Sequence, residues 1–122
     1  MTPNAVPPAP ELPFIDTHTV HVDASPEALY EALWLVLVGS GTSRAAAIYG
    51  RAVGCEPRAF HRTAQPEPGV STLVGFGVER AEPPRRLDLA GSHHFSTYRI
   101  EFELTPTASG ATIAATTRAE FP

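Results

Sequence analysis

Apolar and polar positions alternate most strictly toward the end of the chain. Tyr98, Ile100, Phe102 and Leu104 fall on one side, and Thr97, Arg99, Glu101 and Glu103 fall on the other. This is the period of a strand with one dry and one wet face. After a Pro106–Gly110 connection the pattern returns, with Ile113, Ala115, Thr117, Ala119 and Phe121 set against Thr112, Ala114, Thr116, Arg118 and Glu120. The two runs predict an antiparallel hairpin. Earlier, Val20 and Val22 share a face with His18, while Thr19, His21 and Asp23 share the other, which predicts a first strand over Thr17–Val22.

The period then changes. Ser25 is placed as a helix cap, Pro26 suits the first helical position, and Glu27 complements the positive helix end. A helix from Pro26 to about Val38 puts Leu29, Leu33 and Val36 along one stripe with Tyr30, Trp34 and Leu37 beside it, and leaves Glu27 and Glu31 for water. So broad an apolar face predicts burial against a sheet. Gly39-Ser40-Gly41 ends the helix, and Ala45–Tyr49 reads as a short second helix stopped by Gly50.

Arg51–Pro68 is the least periodic region, with Ala59–Thr63 as a candidate strand and Pro66–Gly69 as a turn. Val70–Glu82 reads as one strand in which Val74, Phe76 and Val78 alternate with Gly75 and Gly77, glycines that suggest curvature or the close passage of another segment. Pro83-Pro84 breaks it, and Leu87–Gly91 starts another strand. The fold class is therefore α+β, with a twisted antiparallel sheet, an N-terminal helix and a short second helix.

Composition narrows the classes. A chain of 122 residues is one domain at most, and 43% apolar against 18% charged residues argues for a real core. The net charge of −4, with scattered arginines and no lysine, gives no footprint for nucleic acid. One cysteine, Cys55, excludes an intrachain disulfide and a cysteine-based zinc site, which points to a cytoplasmic protein. Residues 1–15 carry Pro3, Pro7, Pro8, Pro10 and Pro13 and read as a disordered Pro-rich lead-in rather than a signal peptide. Residues 16–122 form the domain. The longest apolar stretch, Leu33–Val38, is too short for stable membrane insertion.

The phrase His21-Val22-Asp23-Ala24-Ser25-Pro26-Glu27-Ala28-Leu29-Tyr30-Glu31-Ala32-Leu33 resembles the N-terminal signature of the START-like, or polyketide cyclase and dehydrase-like (SRPBCC), superfamily. Tyr98-Arg99-Ile100-Glu101-Phe102-Glu103-Leu104 followed by Gly110-Ala111-Thr112-Ile113 looks like its penultimate hairpin, and the resemblance spans Asp16–Phe121. It implies a helix-grip fold whose curved sheet wraps a long C-terminal helix and holds lipids, polyketides, hormones or other apolar molecules. The sequence ends at Pro122 before any such helix, so the domain is expected to be incomplete at its C-terminus or covered by another subunit. Gly39-Ser40-Gly41-Thr42 also stands where related proteins carry a Trp-Pro-rich phrase.

Candidate chemistry is sparse. Of the adjacent histidines His93 and His94, alternation through Ser96–Tyr98 puts His94 with the apolar set, where it could act as a general acid or base. Tyr98 brings a hydroxyl to the dry face, with a hydrogen-bonded core role as the plainer reading. Tyr30 and Trp34, one turn apart, could line a pocket opposite Phe76, Ile100 and Phe102, or all five could simply form core. Arg99 and Arg118 read as cross-strand partners of the glutamates, and Asp88 as a partner of Arg85 or Arg86. No lysine-bearing phosphate loop, nucleophilic triad, paired-carboxylate arrangement, metal site or cofactor motif emerges. The leading expectation is binding of a small hydrophobic or aromatic ligand between sheet and helix. The alternatives are a polyketide cyclase/dehydratase-like enzyme using His94 or Tyr98, and a self-associating protein whose dry face is covered by a homodimer or another partner.

Overall fold

The computed structural model describes residues 12–41, 63–73, 75–94 and 96–121. The elements are β1 (Phe14–Val22), α1 (Pro26–Gly41), β2 (Thr72–Leu73), β3 (Phe76–Glu82), β4 (Arg86–His93), β5 (Ser96–Thr107) and β6 (Gly110–Glu120). The strands make one antiparallel, open, curved sheet in the order β1-β6-β5-β4-β3-β2, with α1 packed on one face. The α+β reading holds. The short second helix, Cys55 and nearly all of the Ala59–Thr63 strand lie outside the described residues, and Thr63 itself is not in a strand.

Helix α1 starts as its residues dictate. The Ala28 amide donates to Ser25 Oγ at 3.2 Å and the Leu29 amide to Ser25 O at 2.9 Å, so the cap and the first helical bond share one serine. The buried side differs from the expected stripe. Tyr30 and Trp34 are each 3% exposed, flanked by half-buried Leu29, Leu33, Leu37 and Val38, whereas Val36 is 66% exposed. At about 100° per residue, Val36 stands roughly 200° around from Trp34 and so faces away from the core. The helix aromatics pack on Leu73, Val78, Leu87, Leu89 and Leu104.

Cross-strand partners share a face, so the register defines the two sides of the sheet. On the inner, helix-bearing side, Val20, Ile113 and Leu104 form one row. His18, Ala115, Phe102 and Leu87 form the next, followed by Asp16, Thr117, Ile100 and Leu89. β1 begins at Phe14, ahead of the expected Thr17, with a register shift between Phe14 and Asp16. A second shift between Val78 and Arg80 inserts Glu79, so Val78 and Ala81, three residues apart, oppose the inner residues Leu89 and Leu87.

The expected single strand Val70–Glu82 is broken. Gly75 sits in a turn at φ 86°, a conformation glycine adopts at no steric cost, and it folds β2 back on β3. Gly110, by contrast, is needed for close approach. A Cβ there would lie 2.2 Å from Val22 O, so the hairpin end seats directly on the chain leaving β1. The hairpin connection is also shorter than expected, because β5 runs through Pro106 to Thr107.

Candidate functional site

The outer face carries a charge network. Arg86 donates to Asp88 through Nε at 2.9 Å and Nη2 at 3.3 Å, and reaches Glu103 at 3.5 Å and Glu101 at 3.8 Å. Arg118 Nε donates to Glu101 at 3.3 Å, and Arg99 pairs with Glu79 at 3.0 Å and with Glu101 at 3.7 Å. Arg80 pairs with Glu82 nearby. The hydrogen bond to Asp88 holds the Arg86 guanidinium above its ordinary pKa. The expected cross-strand pairing is present, although Asp88 is buried and Arg99 and Glu101 are half-buried rather than fully wet. These cations already face carboxylates, which makes the network structural before it is anything else.

The inner face is different. α1 covers it over β2–β5 at Leu73, Val78, Leu87, Leu89 and Leu104, with half-buried Phe102 and Ile113 packed against the margin of that core, while Ile100, Ala115 and Thr117 remain half-buried and Val20 on the edge strand is 57% exposed. Here the strand pattern has made an apolar floor that the helix does not close.

Two of the proposed ligand-lining residues serve as its wall. The Tyr30 hydroxyl donates to Arg86 O at 3.1 Å, and Trp34 Nε1 donates to Thr63 O at 3.1 Å. Both polar atoms are thus spent on backbone carbonyls, and both rings lie in the core. Burial pushes the Tyr30 phenol up to about 12, with Asp88 and then Glu82 adding to the rise. Phe76 meets Tyr98 with ring centroids 5.1 Å apart at 57°, and the Tyr98 hydroxyl donates to Gly75 O at 2.7 Å. The turn that sequence periodicity missed is therefore where Tyr98 is anchored. Ile100 and Phe102 lie side by side on the half-buried floor.

His94 is placed otherwise than alternation implied. It lies beyond the end of β4, exposed in the connection to β5, because the strand period does not continue through that turn. His18 of β1 lies on the inner face by register. Its Nε2 stands 3.2 Å from Asp16 Oδ2. His21, on the opposite face, contacts Thr107 Oγ1 at 3.1 Å and Ser109 Oγ at 3.2 Å, with Asp23 3.7 Å from its other nitrogen.

Hollows open elsewhere among the described residues. One of about 280 Å³ is bordered by Leu12, Glu79, Ala90, Thr97, Arg99 and Glu120 and includes Tyr98. One of about 290 Å³ lies between the start of α1 and the β3–β4 turn, bordered by Glu27, Tyr30, Glu31, Gln65, Pro83 and Pro84. Neither gathers the residues predicted to line a ligand site. Among the described residues, no group of three or more His, Cys, Asp or Glu is arranged to hold a metal ion, and no helix is long and apolar enough to cross a membrane.

No family model matches the chain, and no curated protein matches it significantly. Solved structures do. Protein CV1439 from Chromobacterium violaceum aligns over 93% of this chain and 81% of its own, with a TM-score of 0.56 at 14% identity. Protein MLL2253 from Mesorhizobium loti aligns over 88% and 77%, with 0.54 at 16% identity. A protein from Rhodobacter sphaeroides aligns over 84% and 70%, with 0.50 at 21% identity. At these identities the likeness is one of fold alone: an N-terminal helix packed against a curved, open antiparallel sheet.

Proposed function

We propose that the protein binds a small hydrophobic or aromatic molecule on the inner face of its sheet, between the edge of α1 and strands β1, β6 and β5. The observation that carries this reading is the half-buried apolar floor of Ile100, Phe102, Ile113 and Ala115 beside a closed leucine and aromatic core. Side chains this apolar gain about 25 cal/mol for each Å² removed from water, and a flat aromatic ligand fits a pleated surface bordered by a helix. Phe76 and Tyr98 extend the floor toward β2, while Tyr30 and Trp34 fix the helix that forms its wall. Residues 16–122 act as one binding domain.

The reading is tested by titrating the full chain with N-phenyl-1-naphthylamine, whose emission rises in apolar surroundings, and by following the methyl resonances of Ile100, Ile113 and Ala115. Saturable binding with shifts at those methyls is expected, and Ala115→Glu should weaken it about tenfold or more by placing a charge on the floor. Absence of saturable binding, or undiminished binding by a folded Ala115→Glu variant, overturns it.

A second reading, self-association, draws on the edge strand. β1 has nine residues, borders the sheet among the described residues, and exposes Phe14, Ile15 and Val20. An edge of that length and polarity is a template for pairing with another copy. Light scattering across micromolar concentrations distinguishes a dimer from a monomer, and a monomer throughout discards this reading.

A further inference from the structure

We propose that Asp16 and His18 form the polar anchor of the inner face, and that the ligand it selects is an aromatic molecule bearing a donor hydroxyl, a phenol or an enol. This deepens the reading of the inner face as a binding surface and rests on it.

The register places the pair where an anchor would be needed. His18 stands in the same cross-strand row as Ala115, Phe102 and Leu87, and Asp16 in the row of Thr117, Ile100 and Leu89. With strands about 4.8 Å apart, the pair lies roughly 10 Å across the sheet from Ile100 and Phe102, about the span of a two-ring aromatic molecule. A ligand with its rings over Phe102, Ala115 and Ile100 thus brings one substituent to His18. The inner rows beside β1 are otherwise apolar apart from Thr117, so this pair sets the polarity at that end of the floor.

The hydrogen bond fixes what the pair can do. An ionised carboxylate only accepts, so His18 Nε2 must donate to Asp16 Oδ2 across the 3.2 Å contact. In the neutral ring this tautomer makes Nδ1 the acceptor. A histidine oriented by a carboxylate therefore offers the ligand an acceptor nitrogen and prefers an O–H to an ether, a carbonyl or a methyl at the same place. The carboxylate also stabilises the imidazolium that forms if the hydroxyl gives up its proton, which favours the more acidic hydroxyls, phenols and enols, over aliphatic alcohols. In this arrangement His18 touches the ligand, and Asp16 is a positioning residue.

The pair of probes is 2-naphthol and 2-methylnaphthalene, alike in shape and differing by O–H against CH₃. Dissociation constants are measured by nuclear magnetic resonance titration of the full chain, the His18→Phe variant and the Asp16→Asn variant, with circular dichroism confirming the fold. The ratio of 2-naphthol to 2-methylnaphthalene affinity should fall about tenfold in His18→Phe, the equivalent of one hydrogen bond at about 1.4 kcal/mol, while 2-methylnaphthalene binding is retained. Imidazole nitrogen shifts should show the Nε2–H tautomer in the parent and a mixed population in Asp16→Asn. An unchanged affinity ratio in His18→Phe, or an Nδ1–H tautomer in the parent, overturns the anchor while the apolar floor stands. Failure of both probes to bind the parent chain overturns the floor itself.

Discussion

Replacing Tyr30 by phenylalanine removes one oxygen atom from the core and should reverse its effect on stability between neutral and alkaline pH. At pH 7 the hydroxyl donates to Arg86 O at 3.1 Å from a residue 3% exposed, so its loss costs a net hydrogen bond and leaves a β4 carbonyl less well satisfied. Together these should amount to about 1.5 kcal/mol. Burial first, and then Asp88 and Glu82, push the folded Tyr30 phenol from its ordinary value of 10.0 up to about 12. Below pH 10 the phenol is protonated in both states and the wild-type advantage is complete. Above pH 10 the unfolded tyrosine ionises while the folded one does not, so wild-type stability falls by about 1.4 kcal/mol per pH unit until the folded phenol also ionises.

The phenylalanine variant lacks this contribution. The two stability curves should therefore cross near pH 11, with the variant the more stable beyond it by on the order of 1 kcal/mol. Urea unfolding followed by circular dichroism at pH 7, 9, 10, 11 and 11.5 measures the difference at each pH, and the other tyrosines contribute alike to both proteins. A difference that stays constant from pH 9 to 11.5 would refute the burial argument. So would a cost at pH 7 below about 0.3 kcal/mol, which would show that the Arg86 carbonyl does not depend on this donor.

The outer network makes a separate prediction: Arg86→Met should destabilise the fold by about 2–4 kcal/mol, because Asp88 is left buried with its charge, and adding Asp88→Asn should recover part of that loss in a double-mutant cycle. Gly110→Ala should cost about 1–3 kcal/mol by urea unfolding, since the new methyl meets Val22 O and Ala24 N, backbone atoms that cannot swing aside. A Gly110→Ala protein as stable as the parent would mean that the hairpin end does not bear on the chain leaving β1.

The parts of this molecule that depend on neighbours in sequence were legible from it. Ser25-Pro26-Glu27 specifies a helix start by local bonding, and the alternation at Tyr98–Leu104 and Ile113–Ala119 specifies strands because one face of each must be dry. The failures share a cause. Val36 joined an expected stripe because the helix was apolar nearly all round, so its pattern did not say which side the sheet would take. Gly75 reads as a strand position in the sequence because a glycine in a positive-φ turn and a glycine in a strand look alike without the partner that bonds to it, here the Tyr98 hydroxyl. His94 falls in the apolar phase only when the alternation is extended across a turn. The Asp16–His18 pair has the signal of two residues at period two on one strand face, but its neighbours Ala115, Phe102 and Ile100 come from strands about 80 to 100 residues away, and only the register brings them together.

That register also bears on how the chain is made. Within the described sheet β1 pairs with β6 alone, and Thr17 bonds Thr116 across 99 positions. A ribosome releasing about 5–20 residues each second therefore exposes β1 for several seconds before its complement exists. During that interval the nine-residue strand, with Phe14, Ile15 and Val20 uncovered, is a ready template for foreign strands. Closing so long a loop is slow compared with forming the β5–β6 hairpin, whose partners are adjacent. The hairpin should thus form first and act as the landing surface, with β1 docking last. Synthesis conditions that lengthen the wait, such as slow codons near the β6 coding region, should lower the yield of folded protein without altering its final stability.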